Sequence, residues 1–134
     1  MQLTILPHKS VGELRFGESR EAVRRLLGRR RFQSFQKGDG PILTDTYDGS
    51  GFQLYYGRKD RLEAVEMFEP AVPTLGRTKF LGRKLAAAAA ALKRAGYKSK
   101  ATDVGLRFNS AGIALTAPYG VVEGVLAFRR GYFD

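Results

Sequence analysis

The sequence predicts an α+β fold in which two tandem half-repeats, each a helix followed by antiparallel strands, form one continuous antiparallel sheet with helices on one face. Three observations support this prediction: a helical pattern occurs twice, three strand patterns follow each helix, and the strands that close the two halves are similar. A chain of 134 residues falls within the size of one domain. We therefore expect a single domain over 1–134, with half-repeats at about 1–70 and 77–134 and a proline-containing linker at 70–76.

The first helix is predicted to begin after Ser19 and to end at Gly28. Serine is a preferred N-cap residue, and glycine is the commonest residue just beyond a helix. Glu21 lies in the first turn, where the helix dipole favours a carboxylate. Four apolar residues share one side of this helix and are expected to face a core: Ala22, Val23, Leu26 and Leu27.

The second helix is predicted from Leu85 through a run of alanines to Leu92, with Gly96 as its end. Alanine has the highest helix propensity, so the prediction holds although Lys84 is a poor N-cap residue. The small side chains of this helix would let it pack closely on a sheet.

Strand patterns follow each helix, and glycine-rich turns separate them. The predicted strands are 44–47, 52–56 and 62–68 in the first half, and 104–109, 113–117 and 121–128 in the second. Residues 62–68 and 122–128 share Glu, Val and Phe at equivalent positions. Phe16-Gly17 likewise corresponds to Leu81-Gly82, which favours an internal duplication.

Alternation along the predicted strands divides their residues between two sheet faces. One set is apolar and is expected to face the helices: Phe52, Leu54, Tyr56, Val104, Leu106, Phe108, Ile113, Leu115, Val122, Leu126 and Phe128. The opposite set mixes polar and apolar residues, as either a solvated face or a binding surface would. Its candidate partner-binding residues are Gln53, Tyr55, Val65, Met67, Arg107 and Thr116. Tyr55 and Arg107 are the expected anchors, because tyrosine and arginine dominate many interfaces.

Glu66 does not fit this division, since it falls in the apolar set of its strand. A β-bulge, an edge position or a pairing with an arginine would each explain it.

The composition limits the chemistry that the chain can perform. There is no cysteine, and the single histidine, His8, is expected to be exposed near the amino terminus. The sequence contains no Gly-rich phosphate loop, nucleophile elbow or metal-ligand spacing, so we expect no catalytic residues, no metal and no cofactor. Without a membrane-spanning apolar stretch or a secretory signal pattern, we expect a cytoplasmic protein that does not insert into a membrane.

The charge is strongly positive, with 23 Lys and Arg against 13 Asp and Glu and a formal net charge of +10. Such a field favours an acidic partner, although GC-rich coding would also enrich arginine. Five arginines bunch around the end of the first helix: Arg24, Arg25, Arg29, Arg30 and Arg31. With Phe32 and Phe35 they suit contacts to phosphates and bases, or they are cations stabilised by the helix dipole.

The segment Phe16-Gly-Glu-Ser-Arg-Glu-Ala-Val23, running to Leu26-Leu-Gly28, resembles a signature of the outer-membrane assembly lipoproteins of the SmpA/OmlA type. Tandem helix-plus-sheet units are similar to those of the β-lactamase inhibitory proteins and of small bacterial proteins that include toxin immunity proteins. The second copy departs from the signature at Lys84, and the lipobox cysteine is missing. The resemblance implies a protein-binding sheet and carries over no catalytic residue.

These patterns together predict a protein-binding inhibitor or immunity-type protein. It would bind a bacterial toxin or enzyme that has an acidic surface, and neutralise this partner by covering that surface. The alternative is a nucleic-acid-binding module that uses the arginine cluster at 24–31.

Overall fold

The computed structural model describes residues 2–36 and 43–134. Within these residues strands account for 44% and helices for 17%, so the fold is mostly β and the predicted α+β class is wrong. Two α-helices are present in the described part of the chain, α1 (Arg20–Leu27) and α2 (Leu85–Arg94), and a single 3-10 turn spans Asp48–Ser50.

The strands belong to two sheets. The smaller has the order β3-β2-β1-β8-β9 and consists of β1 (Gln2–Leu6), β2 (Ser10–Val11), β3 (Leu14–Arg15), β8 (Val72–Leu75) and β9 (Thr78–Lys79). The larger has the order β10-β11-β12-β13-β7-β6-β5-β4. It consists of β4 (Gln33–Gln36), β5 (Leu43–Tyr47), β6 (Phe52–Tyr56), β7 (Leu62–Met67), β10 (Lys100–Ala101), β11 (Gly105–Phe108), β12 (Ile113–Thr116) and β13 (Gly124–Phe128).

The smaller sheet overturns the prediction of one continuous antiparallel sheet. Its centre is a parallel pairing of β1 with β8, across nearly 70 residues of intervening chain. A parallel pair leaves no turn signal in the sequence, and the two-residue strands beside it are too short to show alternation. The segment predicted as a linker therefore contains a strand. Pro73 lies opposite Leu3 of β1, and the antiparallel pairing of β8 with β9 begins only at Thr74.

Both helix predictions are confirmed at their ends. The Ser19 hydroxyl accepts a hydrogen bond from the Ala22 backbone N–H, and Gly28 ends α1 with a positive φ of 60°. Helix α2 starts after Lys84 without a side-chain cap. Leu26 was expected in the core but is 49% exposed. Val23 is the one residue of α1 that is fully buried.

Equivalent backbone hydrogen bonds recur in the two halves of the chain. Gly17 N–H donates to the Leu62 carbonyl, as Gly82 N–H does to the Val122 carbonyl. Arg20 N–H at the start of α1 donates to Asp60, as Leu85 N–H at the start of α2 donates to Gly120. Strands β7 and β13, which follow these contacts, pair with each other at the centre of the larger sheet.

One apolar core joins the two helices and the smaller sheet to one face of the larger sheet, which we call the inner face. Its members include Leu3, Ile5, Val11, Leu14, Val23, Phe52, Leu54, Val65, Met67, Ala88, Leu92, Phe108, Ile113, Leu115, Val125 and Ala127. The opposite face of the larger sheet is called the outer face.

A β-bulge corrects the predicted division of the faces. Tyr55 pairs with Ala64 and Tyr56 with Leu62, so Glu63 is an extra residue in β7. The extra residue reverses the alternation that follows it, turning Val65 and Met67 into the core and Glu66 to the outer face.

The same reversal occurs in the second half of the chain. Val125 pairs with Met67 on the inner face, and Leu126 pairs with Glu66 on the outer face. Phe128 pairs with Ala64, which is also on the outer face, so the prediction that Leu126 and Phe128 face the helices is wrong.

Candidate functional site

The outer face carries one continuous row of side chains across all eight strands, here called the central row. Successive cross-strand pairs define it as Gln33, Thr46, Gln53, Glu66, Leu126, Ala114, Arg107 and Lys100. Its members at β6, β7, β13, β12 and β11 are partly exposed, and those at the two edge strands are exposed. The row ends in two cations, Arg107 and Lys100, and Glu66 is its acidic member.

Glu66 is held in a small hydrogen-bond network. The Tyr55 hydroxyl donates to the Glu66 carboxylate, and it also lies 3.0 Å from Oε1 of Gln53. Burial, reinforced by the hydrogen bond and the charge of Glu66, raises the pKa of Tyr55. The contacts of its hydroxyl with Glu66 and Gln53 hold the Tyr55 ring beside the central row.

Residues 131–134 fold back onto the outer face and cover part of it. The Phe133 ring packs edge-on against Phe128, with 4.9 Å between ring centroids, and Tyr132 lies 5.9 Å from Phe128. The Arg107 guanidinium stacks on Phe133, 4.3 Å from the ring centroid. Phe128 is buried although it points away from the core, because these aromatic side chains cover it.

The six candidate residues from the sequence are thus divided by the structure. Gln53, Tyr55, Arg107 and Thr116 lie on the outer face, partly exposed. Val65 and Met67 are fully buried in the core, so they are excluded from any binding surface. Sequence reasoning missed Leu126, Glu66 and Phe133. The position of Glu66 in the apolar set of its strand was the signal that could have placed Glu66 and Leu126 on the outer face. No sequence pattern indicates the position of Phe133.

The arginine cluster includes a structural residue. Arg24 makes a bidentate ion pair with Asp45, with Nε–Oδ2 at 2.7 Å and Nη2–Oδ1 at 2.8 Å, and the Asp45 side chain is fully buried. The Arg24 guanidinium also lies over the Phe32 ring, which stacks on Tyr47. This arrangement attaches α1 to the larger sheet and leaves Arg24 little freedom to bind a ligand.

The other arginines of the cluster extend toward solvent. Arg25 pairs with Glu21 one helical turn away, at 3.0 Å, in an exposed position. Arg30 donates to the Ser50 hydroxyl at 2.9 Å. Arg29 and Arg31 are exposed. The basic surface that remains is therefore centred on Arg29, Arg30 and Arg31.

Two buried tyrosines beside Asp45 make folding sensitive to alkaline pH. Burial, with the charge of Asp45, raises the pKa of Tyr47 from 10.0 to about 12, and the pKa of Tyr56 is raised for the same reasons. The unfolded chain loses these protons near pH 10, whereas the folded state keeps that of Tyr47 to about pH 12. The stability contribution is therefore complete below pH 10 and is lost as the pH rises.

We expect the free energy of unfolding to fall between about pH 10 and pH 12. Denaturant unfolding at a series of pH values would measure this fall. The Tyr47→Phe variant, which removes one of the titrating groups, should show a shallower fall. A free energy that is constant across this range would contradict the burial of these hydroxyls.

Neither a metal centre nor a membrane span is found in the part of the chain that the structure describes. Residues 2–36 and 43–134 hold no group of three or more His, Cys, Asp or Glu side chains placed to bind a metal ion. None of their helices has the length and apolarity needed to cross a membrane.

Comparison of the chain with protein-family models, with curated proteins and with solved structures gave no match. The resemblance to the lipoprotein signature and to inhibitory proteins stays a prediction from the sequence.

Proposed function

We propose that the protein binds a partner protein through the outer face of the larger sheet and neutralises it by occlusion, as an inhibitor or immunity-type protein. The observation that carries this proposal is the central row. Both helices and the smaller sheet pack on the inner face, while the polar and aliphatic side chains of the central row cross the outer face, which residues 131–134 cover only in part.

The residues of this face have the chemistry of an interface. Tyr55 offers an aromatic surface whose orientation is fixed by Glu66, and Arg107 offers a guanidinium stacked on Phe133. Side chains that are already ordered lose little conformational entropy on binding. Leu126 adds apolar area between them.

The charge of the face favours an acidic partner. Arg107 and Lys100 lie at one end of the central row, the exposed arginines lie near the other, and the whole chain has a formal charge of +10. Complementary potentials would accelerate association and select against basic partners.

Nucleic acid is the less favoured ligand because part of the arginine cluster makes contacts that stabilise the fold. Arg24 is paired with buried Asp45, and Phe32, the aromatic residue nearest to the cluster, packs against Tyr47. Stacking of a base on Phe32 would have to compete with these contacts.

The proposal is tested by blocking the outer face without removing a contact from it. Ala114 is the smallest side chain of the central row, and Ala86 is an exposed residue of α2. Immobilised protein would first be used to capture a partner from the organism that encodes it. Ala114→Trp should then abolish capture, and the matched control Ala86→Trp should not.

Quantitative binding to the captured partner provides the second measurement. Arg107→Ala should weaken the complex by about 2 kcal/mol in calorimetry, roughly thirtyfold in Kd, with little change in stability. A partner that binds Ala114→Trp as well as it binds the natural protein would refute the outer face as its site. Capture of nucleic acid that is lost when Arg29, Arg30 and Arg31 are neutralised would establish the alternative.

A further inference from the structure

A cleft of about 790 Å³ opens beside the edge of the larger sheet, where the chain between α1 and β4 passes the 3-10 turn. Its polar lining comprises Arg30, Arg31, Gln33, Thr46, Asp48 and Ser50. A cleft of this size is large enough to enclose a side chain or a small ligand.

The charges that line the cleft favour a single carboxylate. Arg30 is oriented by its hydrogen bond to Ser50, and Arg31 is exposed beside it. Two guanidiniums and the Asp48 carboxylate leave one positive charge, which one carboxylate would neutralise. A doubly charged phosphate would leave an excess negative charge next to Asp48. Guanidinium groups bind both carboxylates and phosphates bidentately, so the net charge of the lining decides between these two ligands.

Thr46 gives the cleft a hydroxyl that needs a partner. Only 8% of this residue is exposed, and its Oγ1 has no hydrogen-bond partner among the residues that the structure describes. A buried hydroxyl without a partner is destabilising. Thr46 lines the cleft while its Oγ1 is buried, so Oγ1 reaches a carboxylate oxygen in the cleft only after χ1 rotates to another staggered rotamer.

The cleft is continuous with the outer face, because Gln33 and Thr46 are also the first two members of the central row. A partner that lies along this row would extend over the cleft. We propose that the cleft at Arg30, Arg31 and Thr46 receives an Asp or Glu side chain of the acidic protein partner. This inference rests on the proposed function, since it gives the partner-binding face one specific carboxylate pocket.

The first experiment needs no partner. N-acetylglutamate α-amide would be titrated into the isotope-labelled protein at constant ionic strength, with inorganic phosphate as the comparison probe. The amide signals of Gln33 and Thr46 should shift on saturation with the glutamate derivative. Arg31→Gln should weaken this binding about tenfold, whereas Arg29→Gln, a matched loss of one exposed charge outside the cleft lining, should leave it nearly unchanged.

Thr46→Val tests the hydroxyl without changing the size of the side chain. We expect the dissociation constant of the glutamate derivative to rise severalfold, while thermal stability is unchanged or higher because an unpartnered buried hydroxyl is removed. Equal weakening by Arg31→Gln and Arg29→Gln would overturn the inference, since it would reduce the effect to general charge. Tighter binding of phosphate than of the carboxylate at this site would overturn the choice of ligand.

The complex with the captured partner separates this inference from the proposed function. If Ala114→Trp abolishes the complex and Arg31→Gln weakens it about tenfold more than Arg29→Gln does, both are supported. If Ala114→Trp abolishes the complex but Arg31→Gln and Thr46→Val have no effect, the carboxylate pocket is refuted and the outer-face function stands. If Ala114→Trp has no effect, the proposed function is refuted independently of the glutamate titration.

Discussion

Replacing Asp45 with asparagine is expected to lower the free energy of unfolding by about 3 kcal/mol, because a buried ion pair that loses one partner leaves a charge without compensation. Asp45 is completely buried and accepts two hydrogen bonds from Arg24. The amide nitrogen of asparagine would place a donor against the guanidinium. The effect stays at the lower end of the range for buried pairs, since the Arg24 side chain is 31% exposed and can turn toward water.

Asp60→Asn provides the matched control for this loss. Asp60 forms an ion pair at 2.8 Å with Arg20, which lies in α1 as Arg24 does, but the Asp60 side chain is 48% exposed. Asparagine also tolerates the positive φ of 59° at this position, so the change removes only the charge. We expect a loss of about 1 kcal/mol or less. Denaturant unfolding measures both variants, and equal losses would show that the Arg24–Asp45 pair has no special role in attaching α1.

Replacing Met67 with alanine is expected to lower the free energy of unfolding by about 2–5 kcal/mol, because it removes a fully buried side chain and leaves a cavity in the core. Met67 pairs with Phe52 on one side and with Val125 on the other, at the centre of the inner face. The change should weaken partner binding only in proportion to the unfolded fraction, since Met67 does not reach the outer face.

Leu126→Ala makes the complementary test of the two faces. Leu126 pairs with Glu66 and Ala114 in the central row and is partly exposed. Its truncation should cost less stability than that of Met67 and should weaken the complex in a folded protein. The opposite result, a large loss of stability for Leu126→Ala and a small one for Met67→Ala, would mean that the faces are assigned the wrong way round.

The bulge at Glu63 shows why face assignment could not be completed from the sequence. Alternation is a local rule, and one inserted residue reverses every position that follows it. Gln53 and Tyr55 lie in β6, before the inserted residue in the chain, and were assigned to the correct face. Val65 and Met67 come after it in β7 and were assigned to the wrong face. Glu66, a charged residue in the apolar set of its strand, was the sequence signal of this reversal. A bulge, an edge position and an ion pair explained its position equally well.

The ends of α1 and α2 and six strands of the larger sheet were predictable because their signals are local, whereas its edge strands β4 and β10 were not predicted. The Ser19 cap, the positive φ of Gly28 and the alanine run act within a few residues of one another. The net charge and the absence of cysteine are likewise properties of the sequence alone.

Only the tertiary structure decided the parallel pairing of β1 with β8, the burial of Asp45 against Arg24, and the folding of Phe133 onto Arg107. Each of these contacts joins residues more than 20 positions apart, so its stability depends on how the whole chain brings the partners together. The physical reason is that local propensities fix backbone conformation one element at a time, while burial and ion pairing are properties of the packed molecule. The outer face, assembled from strands that are distant in the sequence, belongs to this second class.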